Sequence, residues 1–417
     1  MLRGRLEQAQ VGGLWLFGAV CLLSIALQNV AFLGLAAWVG LAIAQGRAKD
    51  LRPPFWAWLY LPFLAWALYA SALSENSAHS LLTWRKWLLI AVAVYAWAVL
   101  KDRPRALQAT LGSTLFFSAL TCLGASLIAL GKPAWAWMHG AGLHELLGQW
   151  TQRGDWRAVS GSGGYMVLGT GTMLMLAFFA GLASAEAKWR RPLPLACLAA
   201  LALGLLLTQT RSAWMGAGVA LLVLAILARW WRGLLWGMAL ALALFDLPGN
   251  PIVKRVEDGL RFEEASTRER WFMQHAADRI SRLRPWTGVG DALEGFEKDG
   301  QHVEGWYVRV QKPAALYWGF PLDVEQGHLH SNARQILVMY GKPARWALGA
   351  FALLLLLLAF QGLGSAPGPA RGLLAALLAF GVNGMNEYNL GSFQSGFTLC
   401  FLIGLGLAAI AAARRAA

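Results

Sequence analysis

The chain has 417 residues, of which 57% are hydrophobic and 14% are charged, and it carries 22 tryptophans. A soluble domain has roughly 25% charged residues, so this composition excludes an ordinary soluble enzyme and indicates an integral membrane protein. The net charge of +14 does not indicate nucleic-acid binding, because the basic residues are spread over short loops instead of lying with aromatics on one soluble face.

Apolar segments recur along the whole sequence. A helix needs about 20 apolar residues to cross the hydrocarbon core of a bilayer, and twelve segments are predicted as spans. They are residues 11–28, 30–45, 55–73, 86–100, 107–131, 161–183, 193–208, 212–228, 233–247, 346–361, 372–390 and 394–412. We therefore predict an all-α polytopic membrane protein, with nine spans in residues 1–247, one large loop with amphipathic helices in 248–345, and three spans in 346–417.

The short connections between the spans predict the orientation of the chain. Lys and Arg near span ends are retained on the cytoplasmic side, whereas the connections at 28–30 and 74–83 hold neither residue. We therefore expect both termini in the cytoplasm and the long loop on the outer side. The basic residues then inside are Arg3, Arg5, Arg47, Lys49, Arg52, Lys101, Arg103, Arg105, Lys188, Arg190, Arg191, Arg229, Arg232, Arg371, Arg414 and Arg415.

The long loop contains two predicted helices. Ser266-Thr267 followed by Glu269 and helically spaced apolar residues predicts a capped amphipathic helix, which Pro285 ends. A second helix is predicted from about Ser331 to Tyr340, with a break at Gly341-Lys342-Pro343. The loop is therefore predicted to be structured and is able to contain a functional site.

His330 is the first candidate for chemistry, since a neutral imidazole at a helix start can take a proton from a hydroxyl near neutral pH. The alternative is an interfacial histidine that only caps the helix. Glu325, His328 and His330 also have a spacing that could hold zinc, although no fourth ligand is evident. We assign no metal and no cofactor, and find no nucleotide-binding loop.

Arginines are the second kind of candidate. Arg211 stands between two apolar runs at the outer membrane face, where it either snorkels at a tight turn or clamps an anion. Guanidinium groups also suit bidentate phosphate binding, and one or two arginines of the long loop are expected to face the membrane. These loop arginines are Arg268, Arg270, Arg279, Arg282 and Arg284.

Three motifs carry a resemblance to a known family. Arg268-Glu269-Arg270-Trp271 followed by Arg284-Pro285-Trp286-Thr287-Gly288-Val289-Gly290 matches an Arg, Trp, then Pro-x-x-Gly-x-Gly pattern. His330-Ser331, nine residues and Gly341 match a His-[Asn/Ser]-x9-Gly motif, and Thr210-Arg211-Ser212 matches a membrane-edge arginine. In these motifs the chain resembles O-antigen ligases and the related O-antigen polymerases and protein O-oligosaccharyltransferases.

The resemblance implies a GT-C-like glycosyltransferase, inverting and metal-independent. Such an enzyme moves O-antigen polysaccharide from undecaprenyl diphosphate to a lipid A core hydroxyl at the periplasmic face of a Gram-negative inner membrane. Its expected partners are that donor, that acceptor and membrane lipids, with no nucleic acid. The implied site residues are His330 as catalytic base, Arg211, Arg268 and Arg270 as diphosphate ligands, and His328, Asn332 and Arg284 as support.

Alternatives remain open at this point. An O-antigen polymerase or a protein O-oligosaccharyltransferase would carry the same motifs, although the latter usually has further sequence after the last spans. The chain ends at Arg414-Arg415-Ala416-Ala417, which favours a lipid acceptor. A transporter is less favoured, because the spans carry no row of midplane acids for a proton relay.

Overall fold

The fold comes from a computed structural model that describes most of the predicted spans and small parts of the long loop. The described residues are 2–23, 25–44, 53–74, 76–138, 157–159, 164–230, 270, 273–274, 277–278, 281–282, 284–291, 296–298, 301–303 and 329–416. The ninth predicted span, 233–247, and most of the predicted loop lie outside them.

Helices make up nearly all of the described chain. In chain order they are α1 (Leu2–Val20), α2 (Ile25–Ala44), α3 (Phe55–Trp58), α4 (Leu61–Ala72), α5 (Ser77–Trp84), α6 (Ile90–Leu100), α7 (Pro104–Met138), α8 (Tyr165–Ala185), α9 (Pro192–Thr208), α10 (Arg211–Leu227), α11 (Asn332–Gly362), α12 (Pro367–Asn386) and α13 (Phe393–Ala416). Short 3-10 turns occupy Arg85–Leu89, Ala187–Arg190 and Asn389–Gly391. The strands β1 (Phe296–Lys298) and β2 (Gln301–Val303) form an antiparallel hairpin with Phe296 opposite Val303.

The helices follow the apolar segments of the sequence. A helix occupies each predicted span within the described residues, so the all-helical class of the bundle is confirmed. Six of these helical stretches are long and apolar enough to cross a membrane. The protein is therefore a helical membrane protein, while a total of twelve spans stays a prediction.

The boundary between the first two helices differs from the prediction. Residues 28–30 were predicted to be a connection, but α1 ends at Val20, residues 21–23 form a turn, and Gln28 lies inside α2. Gln28 is fully buried, and its Nε2 donates hydrogen bonds to the carbonyls of Cys21 at 2.7 Å and Val20 at 3.3 Å. The last carbonyls of a helix have no hydrogen-bond partner within that helix. The polar residue Gln28 therefore lies in an apolar run because it donates hydrogen bonds to carbonyls at the end of α1.

The predicted connection at 74–83 is also mostly helical. Asn76 begins α5, since its Oδ1 accepts a hydrogen bond from the His79 N–H at 3.2 Å. Asparagine is a favoured N-cap because its side chain satisfies such an unpaired donor. The polar residues of this segment indicate a loop, but in the structure they belong to a capped helix of only eight residues.

Helix α8 lies at the centre of the bundle, where 83% of the residues in its most apolar stretch are buried. It packs against α12 at a point where a Cβ on Gly181 would come within 2.3 Å of the Gly372 Cα atom. Two backbones can approach this closely only where neither residue has a side chain. The contact fixes α8 and α12 together, and both helices lead to the candidate site.

Arginines bind helix C-termini at one end of the bundle. At one end, the last carbonyls of α8 accept hydrogen bonds from arginines, with Arg190 Nε 2.7 Å from Ala183 O. Arg371 donates two hydrogen bonds, from Nη1 to the Ser184 carbonyl at 3.2 Å and from Nη2 to the Leu227 carbonyl at 3.0 Å. Basic side chains suit helix C-termini because they satisfy these carbonyls and oppose the dipole. The starts of α8, α10 and α11 lie at the opposite end of the bundle.

Candidate active site

The turn before α11 has an unusual backbone. His330 has a φ of 47°, in the left-handed region that residues other than glycine rarely adopt. Ser331 is the N-cap of α11 and makes no side-chain cap hydrogen bond, while Gln335 Oε1 in the first turns of the helix accepts a hydrogen bond from the Leu329 N–H at 2.7 Å. Backbone strain of this kind costs about 1–3 kcal/mol and is concentrated at functional sites. The strained backbone therefore marks His330 as a candidate functional position.

Glu387 holds the His330 ring in place. This glutamate follows the last residue of α12, and its Oε2 lies 3.2 Å from His330 Nδ1. Only 10% of the His330 side chain and 6% of the Glu387 side chain are exposed, so the contact is shielded from water. With the proton on Nδ1 directed at the carboxylate, the basic lone pair of the ring is on Nε2.

Arg270 supplies the counter-charge for this buried carboxylate. Its Nη2 lies 2.7 Å from Glu387 Oε1, and its Nη1 donates a hydrogen bond to the Asn386 carbonyl at 3.2 Å. A buried carboxylate without such a partner would be strongly destabilising. The pair places a positive charge against Glu387 next to His330, and the structure brings together two of the predicted site residues, His330 and Arg270.

An amide network supports the site from the side of α8. Asn389 Nδ2 donates to Asn383 Oδ1 at 2.7 Å, and Asn383 Nδ2 donates to Thr170 Oγ1 at 3.3 Å. Asn332, predicted as a supporting residue, accepts a hydrogen bond from the Leu390 N–H on its Oδ1 at 3.1 Å. These bonds tie the start of α11 to the chain after α12, so Asn332 positions the backbone around Glu387.

Arg211 is the first residue of α10, at the same end of the bundle. The preceding residue, Thr210, donates a hydrogen bond to the Tyr165 carbonyl at 3.3 Å, so α10 begins beside the start of α8. A helix N-terminus already carries partial positive charge. A half-buried arginine at this position adds to that charge, and the combination favours an anion.

Arg157 is a second cation beside the start of α8, and the sequence analysis did not single it out. Its guanidinium carbon lies 4.2 Å from the centroid of the Tyr165 ring. The Arg157 Nε is buried and has no hydrogen-bond partner among the described residues. This cation was missed because it belongs to none of the three motifs, and only the fold brings it next to the start of α10.

The Pro-x-x-Gly-x-Gly motif closes the break in α11. Gly341 interrupts this helix with a φ of 78°, and Pro343 has no N–H to give to Met339 O. The N–H groups of Val289 and Gly290 take over instead, donating to Val338 O at 2.8 Å and to Met339 O at 3.0 Å. The predicted break at Gly341-Lys342-Pro343 is confirmed, and the motif satisfies the carbonyls that the break leaves open.

The remaining predicted site residues are only partly described. Arg268 and His328 lie outside the described residues, as does Glu325 of the zinc alternative. Arg284 is half-buried at the start of the motif segment, where its carbonyl accepts a hydrogen bond from the Gly288 N–H at 3.0 Å. Within the part of the chain that the structure describes, no group of three His, Cys, Asp or Glu residues could hold a metal ion.

A cavity of about 980 Å³ lies next to this site. Its walls are mainly apolar and are formed largely by side chains of α11, α12 and α13. The lining includes Ser331 and Asn332, the two residues after His330, and Asn386, whose carbonyl binds Arg270. A mainly apolar chamber of this size with some polar groups in its lining suits a large amphipathic ligand.

Glu387 is the main residue that the sequence analysis missed as part of the site. The sequence does offer a signal, because Glu387 is an acidic residue at the end of an apolar helix and stands among Asn383, Asn386 and Asn389. Polar residues grouped at a span end are costly and often functional. A search for such groups would have found Glu387, although not its partner.

These features define a class: a helical membrane protein with a buried histidine, carboxylate and arginine beside an apolar cavity. Residues 196–345 match the family described as O-Antigen ligase. The matched range includes Arg211, His330 and Gly341, three of the motif residues. This match confirms the predicted resemblance and supports membership of the O-antigen ligase and polymerase superfamily. A search of curated proteins finds no match.

Proposed function

We propose that the protein transfers O-antigen polysaccharide from undecaprenyl diphosphate to a lipid A core sugar hydroxyl. The contact between His330 and Glu387 is the observation that carries this proposal. A histidine that is oriented by a buried carboxylate has the geometry of a general base. It also lies beside a cavity whose size suits a lipid substrate. The family match supports a glycosyltransferase of this type.

The reaction is a single displacement at the anomeric carbon of the donor glycan. The acceptor oxygen forms the new glycosidic bond while the bond from the anomeric carbon to the diphosphate oxygen breaks. His330 Nε2 takes the proton of the acceptor hydroxyl, and Glu387 stabilises the resulting imidazolium. Undecaprenyl diphosphate leaves with the bonding electrons, and the configuration at the anomeric carbon inverts.

The leaving diphosphate needs positive charge more than it needs a general acid. Arg211 at the start of α10 is the best-placed candidate, and Arg157 adds a second cation close to it. Because diphosphate is a good leaving group and arginines neutralise it, we propose metal-independent transfer. Arg268 stays a predicted diphosphate ligand.

Arg270 takes a different role in this proposal from the predicted one. Its terminal nitrogens already contact Glu387 and the Asn386 carbonyl. The charge of Arg270 is therefore largely balanced by the Glu387 carboxylate. We propose that Arg270 acts on the reaction through Glu387 and His330, with any contact to the diphosphate secondary.

The proposed membrane arrangement extends the described bundle to twelve spans. Residues 1–247 and 346–417 would form the spans, and residues 248–345 the catalytic loop on the periplasmic side of a Gram-negative inner membrane. The arginine-rich end of the bundle supports this orientation, because basic residues are retained in the cytoplasm. His330 would then face the periplasm.

Reconstitution tests the proposal directly. The purified protein would be placed in proteoliposomes with an undecaprenyl-diphosphate-linked glycan and purified lipid A core, and products would be identified by mass. We expect glycan-bearing lipid A core with the wild-type protein and none with His330→Ala. Glycan joined only to further donor would instead identify a polymerase, and glycan moved across the bilayer without acceptor would identify a transporter.

A further inference from the structure

Among the described residues, three cations line the apolar cavity next to His330, and two of them are Lys86 and Arg345. Lys86 lies in the 3-10 turn between α5 and α6, and Arg345 lies in α11 just after the break at Gly341. Both residues fall inside candidate membrane spans, Lys86 half-buried and Arg345 exposed. A cation in such a span is costly to insert and usually marks a functional position.

Neither cation has an ion-pair partner among the residues that the structure describes. Arg334, which lines the same cavity, shows the contrast. Its Nε lies 3.4 Å from Asp278 Oδ1, and its Nη1 donates a hydrogen bond to Gln274. The charge of Arg334 is therefore balanced within the protein, whereas the charges of Lys86 and Arg345 are available to a ligand.

The cavity thus combines an apolar chamber with two uncompensated positive charges. A ligand that fits both has acyl chains for the chamber and an anionic group close to those chains. Lysine and arginine bind phosphate through charge-assisted hydrogen bonds. We infer that Lys86 and Arg345 form a subsite for the phosphate of an acylated glycolipid whose chains occupy this cavity.

The inference rests on the proposed function, since it assigns the cavity to the acceptor of that reaction. The cations proposed for the donor diphosphate, Arg211 and Arg157, do not line the cavity. Ser331 and Asn332, which follow the proposed base, do line it. An acceptor held here by its phosphate would therefore approach His330 independently of the donor.

The test compares phosphorylated with enzymatically dephosphorylated lipid A core, using the full-length protein. Binding of each lipid would be measured in detergent without donor, and transfer kinetics would be measured in proteoliposomes. Lys86→Gln and Arg345→Gln should each weaken binding and raise the acceptor KM about tenfold for the phosphorylated lipid. With the dephosphorylated lipid the variants should match the wild type, and the donor KM should not change.

Lys342→Gln is the matched control, because Lys342 is exposed and lines a neighbouring hollow instead of this cavity. Lys86→Arg and Arg345→Lys should restore most of the affinity. Equal losses with both lipids, a change in the donor KM alone, or competition by ordinary phospholipid at equal concentration would overturn the inference. Phosphate-dependent binding without any transfer would leave this subsite standing while refuting the proposed function.

Discussion

The Nδ1 atom of His330 lies 3.2 Å from Oε2 of Glu387, although 57 residues separate them along the chain. The carboxylate thus contacts the imidazole with one oxygen and Arg270 with the other. When the proton of the ring is on Nδ1, the basic lone pair is on Nε2. In the proposed reaction Glu387 is therefore a positioning residue, because it acts through His330.

Glu387→Gln should lower kcat on the order of a hundredfold, within the 10²- to 10⁴-fold that general-base catalysis supplies. The neutral amide no longer stabilises the imidazolium, whereas the substrates still bind. KM for donor and acceptor should therefore stay near the wild-type values in a reconstituted transfer assay. Glu387→Asp should recover part of the rate.

The control for this substitution is Glu186→Gln. Glu186 also forms an ion pair, with Lys188 at 2.8 Å, but it lies at the arginine-rich end of the bundle. If both glutamine variants lower kcat equally, or if Glu387→Gln raises only KM, Glu387 does not orient a base.

His330→Ala should reduce transfer by about 10²- to 10⁴-fold, because it removes the group that accepts the proton of the acceptor hydroxyl. Expression and thermal unfolding should remain close to wild type. His79→Ala provides the comparison, since His79 Nε2 lies 3.5 Å from Asp291 Oδ2 and His79 has no role in the proposed reaction. Near-normal turnover by the His330 variant would remove the base assignment.

The apolar segments and the breakers were enough to predict most of the bundle. The break in α11 follows from a glycine and a proline two residues apart, Gly341 and Pro343, which act locally and need no tertiary contact. Gln28 shows the limit of this approach. A polar residue in an apolar run indicates either a loop or a buried hydrogen bond, and only the fold shows that Gln28 bonds to the end of α1.

The candidate site was predictable only in part. His330 and Arg270 stand in motifs that resemble a family, whereas Glu387 and Arg157 belong to no motif and are placed at the site by tertiary contacts. The sequence also did not show why the motif has glycine at positions 288 and 290. Their φ angles of 67° and 77° and the hydrogen bonds of this segment to α11 explain them.

Arg211→Ala should lower kcat/KM for the donor about 10²- to 10³-fold, as expected when one preorganised group at a developing anion is removed. Arg211→Lys should be intermediate, because an ammonium keeps the charge but loses the bidentate geometry. Initial rates at varied donor concentration measure both effects. Arg414→Ala, an exposed cation in the last turn of α13, should leave the rates unchanged. Equal behaviour of the Arg211 and Arg414 variants would refute the diphosphate role.

Treatment with EDTA should leave transfer unchanged, because the proposed reaction relies on arginines to neutralise the diphosphate. Rates would be compared before and after chelation, and again after adding a divalent ion. Loss of transfer in EDTA that a divalent ion restores would contradict the metal-independent mechanism and would revive the zinc alternative with Glu325, His328 and His330.

Gly341→Ala should destabilise the protein and reduce transfer together. A Cβ at Gly341 would lie 2.0 Å from the Trp286 carbonyl oxygen, and the residue has a φ of 78°. The backbone conformation alone costs about 1–3 kcal/mol for a residue with a side chain. Relief of the clash requires the 285–290 segment to move, and this movement breaks its hydrogen bonds to Val338 and Met339. The expected result is a lower thermal unfolding temperature and faster proteolysis of the long loop.

Gly218→Ala is the matched control for this substitution. Gly218 lies inside α10, and a Cβ there would meet nothing within 4 Å. Alanine is favoured over glycine in a helix by about 1 kcal/mol, so this variant should be as stable as the wild type or slightly more stable. If Gly341→Ala unfolds at the same temperature as Gly218→Ala, the Pro-x-x-Gly-x-Gly segment does not hold the break in α11. The motif would then need another explanation, such as direct contact with a substrate.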